Sequence, residues 1–147
     1  MGLVQTLAGR KTYLDSNVWI YAFEAEALFG RELQLMFEAL GDGTLNAAAS
    51  ELVIAEILVG PFREGKLNQA ETYQRFIQPR SHLDVLPVTR AVLLEAARLR
   101  ATSALKLPDA IHVATARTAD CEVFLTNGGR IKSIPDLEVI PLRDVIE

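Results

Sequence analysis

Cysteine is nearly absent from this chain. Cys121 stands alone among 147 residues, so no disulfide can form within the chain. A lone thiol beside a strand-like run reads as a small core residue. Long apolar runs are missing too: acids or polar groups interrupt every stretch before the ~18 residues a membrane helix needs. Met1 to Arg10 has no charged start followed by an apolar block, so no secretory leader is expected and the cytoplasm is the default compartment. Basic charge is scarce. Lys and Arg total 15 against 19 Asp and Glu, a formal charge of −4, which excludes a general attraction to nucleic acid. Any such contact must draw on local cations, and Lys106, Arg130 and Lys132, with Arg63 and Lys66 farther off, form only a weak patch.

What is present is ordinary for a soluble globular domain: 50% hydrophobic and 23% charged residues, with no repeat, low-complexity segment or linker. Residues 1–147 are expected to form one domain with a substantial core. Strand-like runs fall at 11–14, 44–48, 82–88, 122–125 and 137–140. Helical spacing fits 31–40, 66–77, 90–104 and 108–118. A helix should also follow residue 15, with Ser16 or Asn17 as its cap, and another should run from a Ser50 cap to Gly60-Pro61. Strands alternating with helices predict an α/β three-layer sandwich with a mainly parallel sheet. Sites in such sheets form at the C-terminal strand ends, where Asp15 and the Thr126-Asn127 pair are expected.

Acids stand where acids are costly. Asp15 ends the run Tyr13-Leu14, Glu56 has Leu52, Val53, Val59 and Gly60 as helical neighbours, and Asp109 opens an apolar helix after Leu107-Pro108. A carboxylate on an apolar face costs several kcal/mol unless a cation or hydrogen bonds offset it. Three of them point to one shared partner, and a divalent metal is the simplest. Singly, each has a plainer reading: an acid before a helix for Asp15, a helix-dipole acid for Asp109, a helix-seam glutamate bonded to an amide for Glu56.

The segments Tyr13-Leu-Asp-Ser-Asn-Val-Trp-Ile-Tyr21, Ser50-Glu-Leu-Val-Ile-Ala-Glu56, Leu105-Lys-Leu-Pro-Asp-Ala-Ile-His112 and Phe124-Leu-Thr-Asn127 together resemble the PIN-domain ribonucleases, and among them the VapC-type toxins of toxin–antitoxin pairs. The resemblance spans nearly the whole chain, in order and spacing. It implies an α/β/α sandwich that cleaves RNA with Mg²⁺ or Mn²⁺ held by an acidic cluster. By position the catalytic and metal-binding acids are Asp15, Glu56 and Asp109, with Ser16, Asn17 and Thr126 (beside Asn127) as the supporting polar residues. The resemblance also implies a cognate antitoxin lying over the acidic groove and a homodimer. One departure is clear: the family often places a fourth acid two residues after the threonine, and this chain has Gly128 there, before Gly129. Reduced or metal-concentration-dependent nuclease activity is therefore expected.

Other signals read as structural. His112, three residues after Asp109, is expected to be a packed or satisfied histidine, and His82 carries no signal. Ser50 reads as a cap, Gly128-Gly129 as a turn, and Trp19, Tyr21 and Phe23 as core or a partner-helix groove. Two other classes compete: a PIN-like module that binds RNA or protein without cutting, and a receiver-type phosphorylation domain. The latter needs a phospho-acceptor ending the middle strand, and Asp84 lies at the wrong end of its run.

Overall fold

The computed structural model describes residues 2–24, 30–127, 129, 131 and 134–146. Along the chain run α1 (Leu3–Leu7), β1 (Lys11–Leu14), α2 (Ser16–Glu24), α3 (Gly30–Asp42), β2 (Asn46–Ser50), α4 (Leu52–Ile57) and α5 (Val59–Arg63). They are followed by α6 (Leu67–Phe76), β3 (Leu83–Leu86), α7 (Arg90–Ala101), α8 (Leu107–Thr118), β4 (Val123–Thr126), β5 (Glu138–Pro141) and α9 (Leu142–Ile146). Among the described residues the sheet has five strands in the order β3-β2-β1-β4-β5, every pair parallel. This is the α/β sandwich expected. β1 is the central strand, with β2 on one side and β4 on the other. The crevice beyond its C-terminal end is where an open parallel sheet places a site.

The two faces of the sheet follow from strand alternation, which sends successive side chains to opposite sides. Leu14, Ala47, Ala49, Val123 and Leu125 join one core with Leu3, Trp19, Leu33 and Met36 from the helices on that face. Tyr13, Ala48 and Phe124 point the other way, into a second core with Val113 and Ala116 of α8. Tyr13 is in register with Ala48 on β2 and Phe124 on β4. The small Ala48 leaves room for the Tyr13 ring, which stacks on Phe124 at 5.1 Å between centroids. Continuing the alternation, Asp15 and Thr126 follow Tyr13 and Phe124 by two residues and fall on the α8 side.

α8 lies between the sheet and α7, and every residue from Asp109 to Ala116 is buried. Ala96 of α7 and Ala110 and Ala114 of α8 are fully buried in one small-residue cluster, so the two helices approach closely. A helix buried all round normally has no polar side chains. This one carries Asp109, His112 and Thr115. Thr115 bonds back to the Ile111 carbonyl, a local bond that a buried helix accommodates readily.

Several boundaries differ from expectation. Neither Ser16 nor Asn17 caps α2: both lie inside it, and the Asp15 side chain instead accepts the Ser16 amide. The helix from Ser50 stops at Ile57, and Gly60 and Pro61 lie in the first turn of α5 where a full stop was expected. Proline tolerates a first turn because its missing amide has no partner to lose there. Ser50 does serve the start of α4, accepting the Leu52 amide at 3.0 Å. α1 and α9 were not foreseen.

Candidate active site

Asp15 follows the last residue of β1 directly and is only 3% exposed. Its amide bonds the Leu125 carbonyl of β4, which fixes the backbone at the sheet edge. Oδ1 accepts the Ser16 amide at 2.8 Å and Oδ2 accepts the Thr126 hydroxyl at 2.7 Å. Each charge-assisted bond returns about 1.5–3 kcal/mol, against a desolvation cost of several kcal/mol for a buried ion. The positive end of α2 adds about 0.3–1 kcal/mol. These terms roughly balance, and each carboxylate oxygen keeps a lone-pair direction for another partner.

His112 reaches the same place from α8. Its Nε2 lies 2.6 Å from Glu56 Oε1 and 3.8 Å from Asp15 Oδ1, while Nδ1 lies 2.6 Å from the Tyr13 hydroxyl. The imidazole is 1% exposed and sits between two carboxylates, edge-on to the Tyr13 ring. The expectation of a packed, satisfied histidine holds as far as it went. What it missed is that its neighbours include two of the expected site acids, Glu56 and Asp15. The signal was available: three residues separate His112 from Asp109 on one helix face, and two separate Tyr13 from Asp15 on one strand face.

Burial pushes the Tyr13 hydroxyl well above its usual range. The charges of Asp15, Cys121 and Glu56 reinforce the shift, and a hydrogen bond from Ser50 opposes it. Tyr13 therefore stays a neutral donor. A carboxylate can only accept, so Nε2 carries the proton shared with Glu56; in the uncharged ring Nδ1 is then left to accept from Tyr13.

The remaining expected residues are placed as follows. Asp109 is 4% exposed in the first turn of α8, one turn before His112. The Glu56 side chain is 28% exposed, at the rim of the site, and its expected neighbours Val59 and Gly60 are exposed. Ser16, Asn17 and Asn127 are half-buried, and Thr126 is buried against Asp15. Lys106 is exposed immediately before α8. Gly128, Arg130 and Lys132 lie outside the described residues. Arg63 is exposed on α5, while Lys66 pairs with Glu64 at 3.0 Å and is nearer the site than expected. It lines a groove of about 380 Å³ with Glu56, Ile57, Pro61 and Tyr73. Asp84 lies on the edge strand β3, bonded to Lys11, away from the central strand end that a receiver-type acceptor would occupy.

Oxygen donors on buried carboxylates are the ligand chemistry of a hard divalent ion, which keeps several waters and needs only one or two carboxylates directly. That part fits. Among the described residues, however, no three His, Cys, Asp or Glu side chains converge closely enough to hold one ion together. Nor, among them, is any helix long and apolar enough to cross a membrane.

A family model of the PIN domain matches residues 12–137, and the chain belongs to that family. It is similar in structure to a toxin–antitoxin complex from Klebsiella pneumoniae (TM-score 0.67, 25% identity, covering 89% of this chain and 97% of that one). It is also similar to VapBC2 from Rickettsia felis, solved bound to a DNA fragment from its promoter (TM-score 0.67, 19% identity, 89% and 98% covered). A third likeness is the Mycobacterium tuberculosis toxin VapC20, described as cleaving the sarcin–ricin loop (TM-score 0.61, 14% identity, 77% and 86% covered). No curated protein matches the sequence.

Proposed function

We propose that this chain is a divalent-metal-dependent endoribonuclease of the toxin type, hydrolysing RNA phosphodiester bonds under the control of a cognate antitoxin. The observation that carries the reading is the buried Asp15 carboxylate at the C-terminal end of the central strand, oriented by Thr126 and Ser16 beside His112 and Glu56. Asp15 would be the central ligand of Mg²⁺ or Mn²⁺, with Asp109 and Glu56 completing the site directly or through water. When bound, such an ion supplies Lewis-acid polarisation of the scissile phosphate and lowers the pKa of water. The chain's own part is to hold the carboxylates apart and oriented, and to keep one side of the site dry with Tyr13 and α8. Lys106 is a candidate phosphate contact at the rim, and Arg130 and Lys132 remain candidates from sequence. Single-stranded RNA loops are the accessible substrates for so recessed a site.

The test is cleavage of total bacterial RNA with Mg²⁺ or Mn²⁺ by the parent and by Asp15→Asn. Cleavage is expected, and Asp15→Asn should abolish it; cleavage that survives the substitution sinks the reading. A second reading is favoured by the lack of three converging ligands among the described residues and by Gly128: a PIN module that binds RNA or protein without cutting. Activity absent in the parent and restored in Gly128→Asp would keep the nuclease scaffold and assign the defect to the fourth acid. Silence in both would favour the binding module.

For the antitoxin, the groove running from Glu56 past Ile57, Pro61 and Tyr73 fits a peptide segment. An antitoxin Arg could reach the carboxylates, since a guanidinium pairs well with clustered carboxylates. Replacing that Arg should relieve inhibition, and inhibition left intact argues against this mode. A homodimer of the free chain is proposed on the family likeness alone, and sedimentation at the monomer mass would refute it.

A further inference from the structure

The histidine between the two carboxylates belongs to none of the roles above. We propose that His112 is a positioning residue whose imidazole, anchored by the Tyr13 hydroxyl, sets the Glu56 carboxylate beside Asp15 so that both acids can serve one divalent cation. The inference rests on the reading of this site as a metal-dependent nuclease centre and assigns the device that assembles it.

The need for such a device follows from where the acids come from. Asp15 is locked to the sheet by its own backbone and by Thr126. Glu56 is on α4, a helix of six residues that packs against α2 and α6, and its side chain stands at the rim, partly in solvent. A long, partly solvated glutamate has several rotamers, and most of them point away from Asp15. The 2.6 Å bond to Nε2 selects one. The selecting ring is itself immobile: it is 1% exposed, carried on the most buried stretch of α8, and tied at Nδ1 to a tyrosine in the central strand. Tyr13 is fixed in turn by stacking on Phe124. The line from β1 through Tyr13 and His112 to Glu56 thus transfers the rigidity of the sheet to a carboxylate on a short surface helix. An imidazole has two nitrogens on opposite sides of one rigid ring, placed to bond in both directions. Partners that orient metal-binding carboxylates typically change metal affinity by about 10- to 100-fold when lost.

The two ends of the ring can be removed separately. Asn at position 112 places a polar atom where Nδ1 stands and loses the reach to Glu56, while Gln reaches toward Glu56 and gives up the Tyr13 bond. Mn²⁺ binding would be followed by the electron paramagnetic resonance signal of free Mn²⁺, with the fold of each variant checked by circular dichroism. His112→Asn is expected to weaken Mn²⁺ about 10- to 100-fold. His112→Gln is expected to lose less, and Tyr13→Phe, which keeps the stacked ring, to fall between parent and His112→Asn. In a Glu56→Gln background, His112→Asn should cost nothing further, a result that a purely structural role would not give.

Parent-like affinity in folded His112→Asn, or a loss of equal size in the Glu56→Gln background, overturns the positioning role while leaving Asp15-dependent binding intact. Absence of any Asp15-dependent Mn²⁺ binding in the parent overturns the nuclease reading and this role with it. Should His112→Asn not fold, Tyr13→Phe decides: undiminished affinity there overturns the anchor. A metal-free readout runs alongside, since imidazole ¹⁵N shifts should show one tautomer at His112, protonated at Nε2, that becomes mixed in Tyr13→Phe. A mixed tautomer already in the parent counts against the proposal.

Discussion

Asp15 is held at both oxygens by donors of different origin, one a backbone amide next to it in sequence, the other a hydroxyl 111 residues away. The amide comes with the start of α2 and would survive most side-chain changes. The hydroxyl can be deleted. Thr126→Val keeps the shape but leaves Oδ2 buried without that donor, and is expected to cost about 1.5–3 kcal/mol of stability at neutral pH. Thr126→Ser, which keeps the hydroxyl, should recover most of the loss. Urea denaturation of the three proteins reads this directly; equal midpoints for Val and Ser would mean that Thr126 acts through its methyl group. The residue scale is also where sequence reading reached furthest and then stopped. Asp15 and Thr126 are adjacent in the structure as strand-end logic requires. The apolar surroundings expected for Glu56 are only partly there: Val53 is buried, while Val59 and Gly60 are exposed.

At the scale of elements, α8 governs the site. It carries Asp109 and His112, and its close approach to α7 through Ala96, Ala110 and Ala114 sets how deep both residues sit. Ala114→Leu forces three extra carbons into this seam and is expected to destabilise the fold by about 1–3 kcal/mol. A drop in the urea midpoint with an unchanged slope would show it; no drop would mean the helices separate freely. This seam also explains what was legible. The Pro108–Thr118 periodicity gave the helix within a residue of its observed start, because proline at the first turn is a strong local signal. The Ala-rich β2 was found two residues early, since Thr44-Leu45 is the more strand-like pair by propensity and pairing register decided otherwise. α1 and α9 escaped because five-residue helices carry too few turns to show a period.

Across the whole molecule, protons held by the core couple stability to pH at the alkaline end. Burial pushes the Cys121 thiol up to about 12, with Asp84 and Asp120 adding to the shift and Lys11 opposing it; Tyr13 is raised in the same sense. In the unfolded chain a thiol ionises near ~8.5 and a phenol near ~10. The native state therefore keeps protons that the unfolded state gives up. The Cys121 contribution is fully present below about pH 8.5 and declines toward pH 12, by about 1.4 kcal/mol per pH unit. Tyr13 adds its share above about pH 10. Melting temperature should hold steady around neutrality and fall beyond about pH 9. Cys121→Ala should flatten the first part of that decline, and a profile identical to the parent's would show the thiol to be irrelevant.

The strand order has a consequence in time. β1 is made early, but its second neighbour, β4, begins at Val123, and the Asp15–Thr126 bond cannot close before that strand exists. α8, with Asp109 and His112, comes only shortly before it. A chain emerging from the ribosome N-terminus first, at roughly 5–20 residues per second, thus carries Asp15 and Glu56 for several seconds without the parts that orient them. For the nuclease proposed above, that order means the site stays unassembled, in the company of ribosomal, messenger and transfer RNA, until the chain has grown past Thr126.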